Sequence, residues 1–148
     1  MDRKESLRNF EVLFWQLSRK VEYLWKDIYA KTFPGSQSRI MYLLEQNGPL
    51  KMSELANSLH ITAGAVTTAS NILIENGYIS RLRNEQDRRV VHLDLTDKGS
   101  KILNELQNEG REMMNLVFDD ISETELETIQ KVYKEATINI DKLQKRDQ

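Results

Sequence analysis

Residues 52–95 read MSELANSLHITAGAVTTASNILIENGYISRLRNEQDRRVVHLDL, and this stretch decides the fold. Ser53 is a residue type that caps helix starts, so a helix is predicted to begin there. The apolar residues that follow at three- and four-residue spacing are Leu55, Ala56 and Leu59. This spacing predicts a two-turn helix with one buried side. His60 and Ile61 leave room only for a sharp turn before Thr62, a second N-cap residue.

The second helix begins after Thr62 and ends before Gly77, which stands where a left-handed cap needs a residue without a Cβ. Its predicted buried side carries Val66, Ala69 and Leu73. The opposite side is small, polar and uncharged, and its residues are Ala63, Gly64, Thr67, Thr68 and Asn71. Such side chains let a helix approach base edges in a DNA major groove closely. An ordinary solvated surface has a similar composition, so this face alone does not decide its role.

Two strands are predicted next, at 78–83 and 90–95, because apolar and polar residues alternate in both, with a turn at 84–87. Four arginines outnumber the two acidic residues, Glu85 and Asp87, on this hairpin; they are Arg81, Arg83, Arg88 and Arg89. Guanidinium groups on a narrow hairpin contact phosphates and reach into a minor groove. Solvated arginines in weak surface ion pairs are the alternative. Helix, turn, helix and hairpin together predict a winged helix-turn-helix at 36–100.

This stretch resembles the DNA-binding core of the multiple-antibiotic-resistance regulator (MarR) family. The resemblance rests on SELA at 53–56, the helix 62–76, Gly77-Tyr78-Ile79, Asp87-Arg88-Arg89 and LTDKG at 95–99. It implies a dimeric transcription regulator whose helices enter successive major grooves while its wings touch the flanking minor grooves. In this chain it points to the exposed face from Thr62 to Asn71 for groove contacts. It points to Asp87, Arg88 and Arg89 for the wing, with the aspartate tethering or orienting the arginines.

A long N-terminal helix is predicted from apolar residues that step by three or four between Leu7 and Ile28, with no Gly or Pro in residues 1–33. At about 1.5 Å per residue, a helix of about 25 residues reaches roughly 40 Å, more than a compact domain of this size needs. We therefore expect residues 5–31 to help form a dimer, with Phe10 and Leu13 at the interface.

The C-terminal segment 122–146 is predicted to be the second dimerisation helix. Ser122 and Glu125 form a capping box, Ser-x-x-Glu. A heptad stripe follows at Leu126, Ile129, Tyr133, Ala136, Ile140 and Leu143. Alternating steps of three and four residues are typical of helices packed side by side.

Two further helices complete the predicted architecture. One is capped by Ser36, carries Ile40, Leu43 and Leu44, and stops at Asn47-Gly48-Pro49, where it packs behind the helix-turn-helix. The other, at 97–118, is capped by Thr96 and links the wing to the C-terminal helix. Its apolar residues are interpreted as core, and they are Ile102, Leu103, Leu106, Met113, Leu116 and Val117. The predicted fold class is mainly α with a small β-hairpin, in a single domain of 148 residues.

Charge and composition exclude several functions. Residues 1–50 carry 8 basic and 6 acidic side chains, 51–100 carry 6 and 6, and 101–148 carry 7 and 11, so the protein is a poor nonspecific binder of polyanions. With no cysteine, thiol redox sensing is impossible. His60 and His92 lack the spacing of metal ligands, and no phosphate loop or catalytic triad is recognisable. No cofactor or enzymatic activity is expected. No apolar run or leader is present, which predicts a cytoplasmic protein without a membrane span.

The sequence therefore predicts a homodimeric repressor that binds a pseudo-palindromic site in double-stranded DNA. A small aromatic effector is the regulator that the resemblance implies, held between the dimerisation helices and the DNA-binding lobe. The candidate side chains for lining its cleft are Trp15, Trp25, Phe10 and Tyr29, and simple core packing is the alternative role for these aromatic residues. The alternative is a winged helix that docks on an acidic protein partner and binds no DNA.

Overall fold

The structure is a computed structural model that describes residues 1–147. Two compact units make up the chain, Met1–Gly110 and the stretch from Arg111 onward. In chain order the elements are α1 Arg3–Ala30, α2 Ser36–Asn47, β1 Leu50–Lys51, α3 Met52–Leu59, α4 Ala63–Glu75, β2 Ile79–Arg83, β3 Val91–Leu95, α5 Asp97–Val117 and α6 Glu123–Arg146. Six helices with a small sheet, counted over residues 1–147, confirm the predicted fold class.

The hydrophobic core of the first unit is centred on α2, α3, α4 and the sheet, as predicted for a helix packed behind a helix-turn-helix, and Ile28 of α1 with Leu103 and Leu106 of α5 also belong to it. Its fully buried side chains include Ile40, Leu44, Leu55, Val66, Leu73 and Leu93. Each buried side chain of this size contributes about 1.5–3 kcal/mol to the stability of the fold. The packing therefore fixes the orientation of α4, whose opposite face stays in solvent.

The sheet has three antiparallel strands in the order β1-β3-β2. Strand β1 pairs Leu50 with Leu93, and it was not predicted because two residues are too few to show a period. The hairpin strands begin at Ile79 and Val91, one residue later than predicted. The predicted four-residue turn is also too short. The last ladder pair is Arg83 with Val91, so residues 84–90 lie outside the ladder.

The helix caps were predicted correctly in some places and wrongly in others. The cap of α3 is Lys51, which uses extended backbone, and Ser53 lies inside the helix; the cap of α2 is Gly35, with φ +62°, and Ser36 is the first helical residue. Both serine caps were therefore wrong. Thr62 does cap α4, since its side chain accepts a hydrogen bond from the Ala65 N–H at 3.1 Å.

The C-terminal end of α4 confirms the glycine prediction. Gly77 has φ +78° and donates its N–H to the Ile74 carbonyl at 2.9 Å, while Tyr78 donates to the Leu73 carbonyl at 2.9 Å. This pair of bonds is a Schellman motif, which needs a left-handed residue at the position of Gly77. The chain thereby turns directly from α4 into β2.

The long α1 helix has 28 residues and is confirmed. Within this helix only Ile28 is buried. Towards the N-terminus, Phe10 is 51% exposed and Leu13 is 63% exposed. The first half of α1 therefore presents apolar side chains that residues 1–147 leave uncovered.

Thr96 accepts a hydrogen bond from the Gly99 N–H at 3.1 Å, which confirms it as a cap for α5. Leu103 and Leu106 are buried, as predicted. Three further core predictions were wrong, because Met113, Leu116 and Val117 are exposed. Helical spacing identifies one side of a helix but does not say what covers it.

In the second unit, the Ser122–Glu125 capping box is confirmed by both reciprocal hydrogen bonds, at 3.1 and 2.8 Å. Helix α6 buries no residue between Glu123 and Arg146. Its heptad stripe includes Ile129, Tyr133, Ile140 and Leu143, all of them exposed. None of the helices described has both the length and the apolar character that a bilayer span requires.

Candidate nucleic-acid interface

The exposed face of α4 carries every groove-contact residue that the sequence predicted. Val66, Ala69 and Leu73 are buried on the opposite side. The residues left in solvent are Thr62, Ala63, Gly64, Thr67, Thr68 and Asn71. Their exposure is confirmed, and their contact with DNA stays a prediction.

The hydroxyls of Thr67 and Thr68 on this face are each held in one orientation. Thr67 donates to the Ala63 carbonyl and Thr68 donates to the Gly64 carbonyl, each at 3.0 Å. Because the hydroxyl hydrogens are used within the helix, the face offers hydroxyl lone pairs and methyl groups outward. Such groups suit the amino groups of adenine and cytosine and the methyl group of thymine.

The wing is the hairpin of β2 and β3, paired from Ile79–Leu95 to Arg83–Val91. Side chains alternate along a strand, so Ile79, Arg81 and Arg83 share one face. Ile79 is buried in the core, while Arg81 and Arg83 extend beyond the core edge into solvent. Both arginines thus lie where the sequence predicted.

At the wing tip, Asp87 holds Arg89. The Asp87 carboxylate accepts the Arg89 Nε–H at 3.1 Å and the Arg89 backbone N–H at 3.1 Å. The side-chain bond first, and the backbone bond second, hold the pKa of Asp87 below its usual value. Arg89 is 92% exposed, so the ion pair adds little to stability. Its effect is to orient the guanidinium, as predicted for this aspartate.

The remaining tip arginine, Arg88, is exposed and its carbonyl accepts a hydrogen bond from Arg83 Nη1 at 3.1 Å. This bond spans the loop between β2 and β3. The guanidinium of Arg83 thereby supports the backbone conformation from which Arg88 and Arg89 project.

A contact that sequence reasoning missed joins the wing to α4. Arg81 Nη2 donates to Asn71 Oδ1 at 2.6 Å. The two residues are ten positions apart on different elements, and no local spacing rule connects them. Both had been predicted separately as DNA contacts, but not as partners.

A second missed set of contacts ties the end of α4 to the start of α5. Thr96 Oγ1 donates to the Gly77 carbonyl at 2.5 Å, and Lys98 Nζ donates to the Asn76 carbonyl at 2.7 Å. The Lys98 ammonium also lies 4.8 Å from the centre of the Tyr78 ring. A cation beside the last carbonyls of a helix is favourable. These contacts fix the end of α4 relative to the start of α5.

The two histidines lie on different elements of the structure. His60 is the left-handed C-cap residue of α3, with φ 55°, and His92 lies on β3 beside Lys51. Within residues 1–147 no group of three or more His, Asp or Glu residues has the arrangement of a metal site.

A helix that presents small, uncharged side chains to solvent from Thr62 to Asn71, beside an arginine-bearing hairpin, defines the class of the protein as a winged helix-turn-helix. The MarR family model matches residues 34–91. The chain is 34% identical over 99 residues to the HTH-type transcriptional regulator FarR of Neisseria gonorrhoeae, covering 59% of this chain and 68% of FarR. This chain therefore belongs to the MarR family of helix-turn-helix transcription regulators, and the predicted resemblance is confirmed.

Two other similarities span most of the chain. The uncharacterized HTH-type transcriptional regulator YpoP of Bacillus subtilis is 26% identical over 127 residues, covering 86% of this chain and 90% of YpoP. Streptococcus pneumoniae FabT, solved in complex with DNA, is 28% identical with a TM-score of 0.61, covering 93% of this chain and 99% of FabT. Family and relatives are transcription regulators rather than enzymes.

Proposed function

We propose that this protein is a homodimeric repressor that binds a pseudo-palindromic operator in duplex DNA and is released by a small aromatic effector. The observation that carries the proposal is that the hairpin bearing Arg81, Arg83, Arg88 and Arg89 directly follows α4, whose exposed residues up to Asn71 are small and uncharged. For a helix to lie in the major groove while arginines reach the adjacent minor groove, the helix and the hairpin must lie next to each other. That FabT was solved with DNA supports the proposal.

Charge favours specific over nonspecific binding. The protein has a formal net charge of −2, so its attraction to phosphates depends on the local positive charge of the wing. One wing supplies few phosphate contacts, and two wings on one duplex double them. A dimer with a matched DNA site is therefore the form in which this chain binds tightly.

The apolar side chains on α1 and α6 support the dimer. Phe10 and Leu13 on α1 are exposed, as are Ile140 and Leu143 on α6. Exposed apolar stripes of this length mark association surfaces. Packing them against a second copy would hold two α4 helices about 34 Å apart, one turn of the double helix.

Effector release rests on the aromatic residues of α1. Phe10 and Trp15 are about half exposed, and the Trp15 ring centre lies 5.1 Å from that of Phe14. Trp25 is engaged differently, since its ring packs on Gly110 so closely that a Cβ there would overlap it. An aromatic compound therefore has its best partners near Phe10 and Trp15. It can release DNA only if it binds the DNA-free arrangement more tightly.

Selection of genomic fragments by the purified protein, followed by footprinting, tests the proposal. We expect protected sites with two-fold symmetry that overlap promoters, and lower transcription in vitro when the site is occupied. Addition of phenolic and aromatic acids then identifies compounds that restore transcription. Recovery of no preferred fragment, with capture of an acidic protein instead, would favour the docking alternative. Activation at the bound promoter would contradict the repressor role but not the DNA binding.

A further inference from the structure

The contact between Arg81 and Asn71 changes what each side chain offers to DNA. Arg81 shares a strand face with the buried Ile79, and this face turns its guanidinium towards α4. Its Nη2 donates to Asn71 Oδ1 at 2.6 Å, with both residues exposed to solvent. The pair therefore bridges α4 and the wing at the surface.

Asn71 is constrained in what it can read. An asparagine recognises adenine by accepting a hydrogen bond at Oδ1 and donating from Nδ2. Here Oδ1 already accepts a short bond from a cationic donor. The outward groups that remain are mostly donors, namely the Asn71 amide N–H groups and the unused guanidinium N–H groups, beside the second lone pair of Asn71 Oδ1. A positively charged group of donors matches phosphate oxygens.

The position of the pair points to the same ligand. With α4 in a major groove and the wing in the adjacent minor groove, the sugar-phosphate backbone that separates the grooves must pass between the two elements. Arg81 and Asn71 join the elements there. We propose that they form a phosphate clamp, in which Arg81 binds one backbone phosphate and Asn71 is a positioning residue rather than a base reader. This inference rests on the proposed function.

A double-mutant cycle tests the positioning role, using the tightest duplex selected from random DNA. Arg81→Ala should weaken binding about tenfold and lower the slope of log affinity against log salt by about one. Asn71→Ala should weaken binding about three- to tenfold in the wild-type background, and by less than twofold when Arg81 is already alanine. Asn71→Asp, which keeps an acceptor for Arg81, should retain the coupling to Arg81.

Arg83 supplies the matched control, because it lies on the same strand face but donates to the Arg88 carbonyl instead of to Asn71. The effect of Asn71→Ala should be the same in the wild-type background and in the Arg83→Ala background. Equal effects of Asn71→Ala with and without Arg81 would overturn the positioning role. Both side chains are exposed, so thermal unfolding of the variants should match the wild type.

Duplexes with a single neutral methylphosphonate test the ligand. At one phosphate position in each half-site, the methylphosphonate should weaken the binding of the wild-type protein about tenfold. The same methylphosphonate should leave the affinity of the Arg81→Ala variant unchanged. If a methylphosphonate at each position weakens the binding of Arg81→Ala as much as it weakens the binding of the wild type, the clamp is wrong. If instead Asn71→Ala changes the preferred base at one position, Asn71 reads a base. Failure of the wild type to prefer any duplex would contradict the proposed function itself, which separates the two outcomes.

Discussion

Gly99 lies directly against the backbone of Tyr78. A Cβ on Gly99 would overlap the Tyr78 carbonyl oxygen and lie 3.0 Å from the carbonyl carbon. The same carbonyl oxygen accepts the Thr96 N–H at 3.1 Å, so it cannot move freely. Close packing between the first turn of α5 and the start of β2 therefore explains the glycine at the end of the LTDKG sequence at 95–99.

Replacing Gly99 by alanine should lower the free energy of unfolding by about 1–3 kcal/mol, because the added methyl group must displace backbone. Chemical denaturation of the purified protein measures this. Gly64→Ala is the matched control, since a Cβ on Gly64 has only Thr62 Oγ1 nearby, at 3.9 Å. The control should be neutral or stabilise by up to about 1 kcal/mol. Equal losses in both variants would contradict the packing explanation.

The Glu125 carboxylate predicts an acid-sensitive start to α6. Its hydrogen bonds with Ser122, the backbone bond first, hold the pKa of Glu125 below the ordinary value of 4.5. A carboxylate with a lowered pKa in the folded state adds stability above its unfolded pKa and loses it as the pH falls through the folded pKa. Wild-type stability should therefore decrease below about pH 4.5 relative to Glu125→Gln, in which the amide does not titrate. If the acid unfolding curves of the wild type and of Glu125→Gln ran in parallel, the capping box would contribute no pH dependence to stability.

The Asp87–Arg89 pair predicts the behaviour of the wing. Arg89→Ala should weaken operator binding and reduce the salt slope by about one, because one phosphate contact is lost. Fluorescence anisotropy at several salt concentrations measures both. Arg8→Ala removes the same charge from the exposed surface of α1 and should change neither. An unchanged slope for Arg89→Ala would show that the wing tip does not contact DNA.

Two isoleucines on α6 test the dimer. Ile140 is 54% exposed on the heptad stripe, and Ile138 is 52% exposed off the stripe. Ile140→Asp should weaken dimerisation roughly tenfold or more, because it buries a charge in an apolar interface. Ile138→Asp should leave it unchanged. Sedimentation over a range of concentrations measures the dissociation constants, and a reversed order of effects would place the interface on the other side of α6.

The sequence predicted features that depend on local rules. The periodicity of α1, the Thr62 cap, Gly77 and the Ser122–Glu125 capping box each depend on neighbouring residues, and all were found. The caps at Ser36 and Ser53 failed because glycine with positive φ and extended lysine backbone preceded the helices instead. A serine near a helix start indicates a cap only when the backbone before it is known.

Contacts between distant elements were beyond local rules. Arg81 contacts Asn71, and Lys98 contacts Tyr78, through tertiary packing of different parts of the chain. The exposure of Met113 shows the same limit from the other side, since helical spacing marks an apolar face without identifying its cover. The residue types at the DNA-facing surface were predictable, whereas their mutual hydrogen bonds required the fold.

Binding of the purified protein to its best selected duplex, measured against a shuffled duplex of the same composition at moderate ionic strength and without effector, tests the central claim most directly. We expect two chains per duplex, a site with half-sites about one helical turn apart, and at least about a thousandfold preference over shuffled DNA. Equal affinity for the selected and shuffled duplexes would contradict the account.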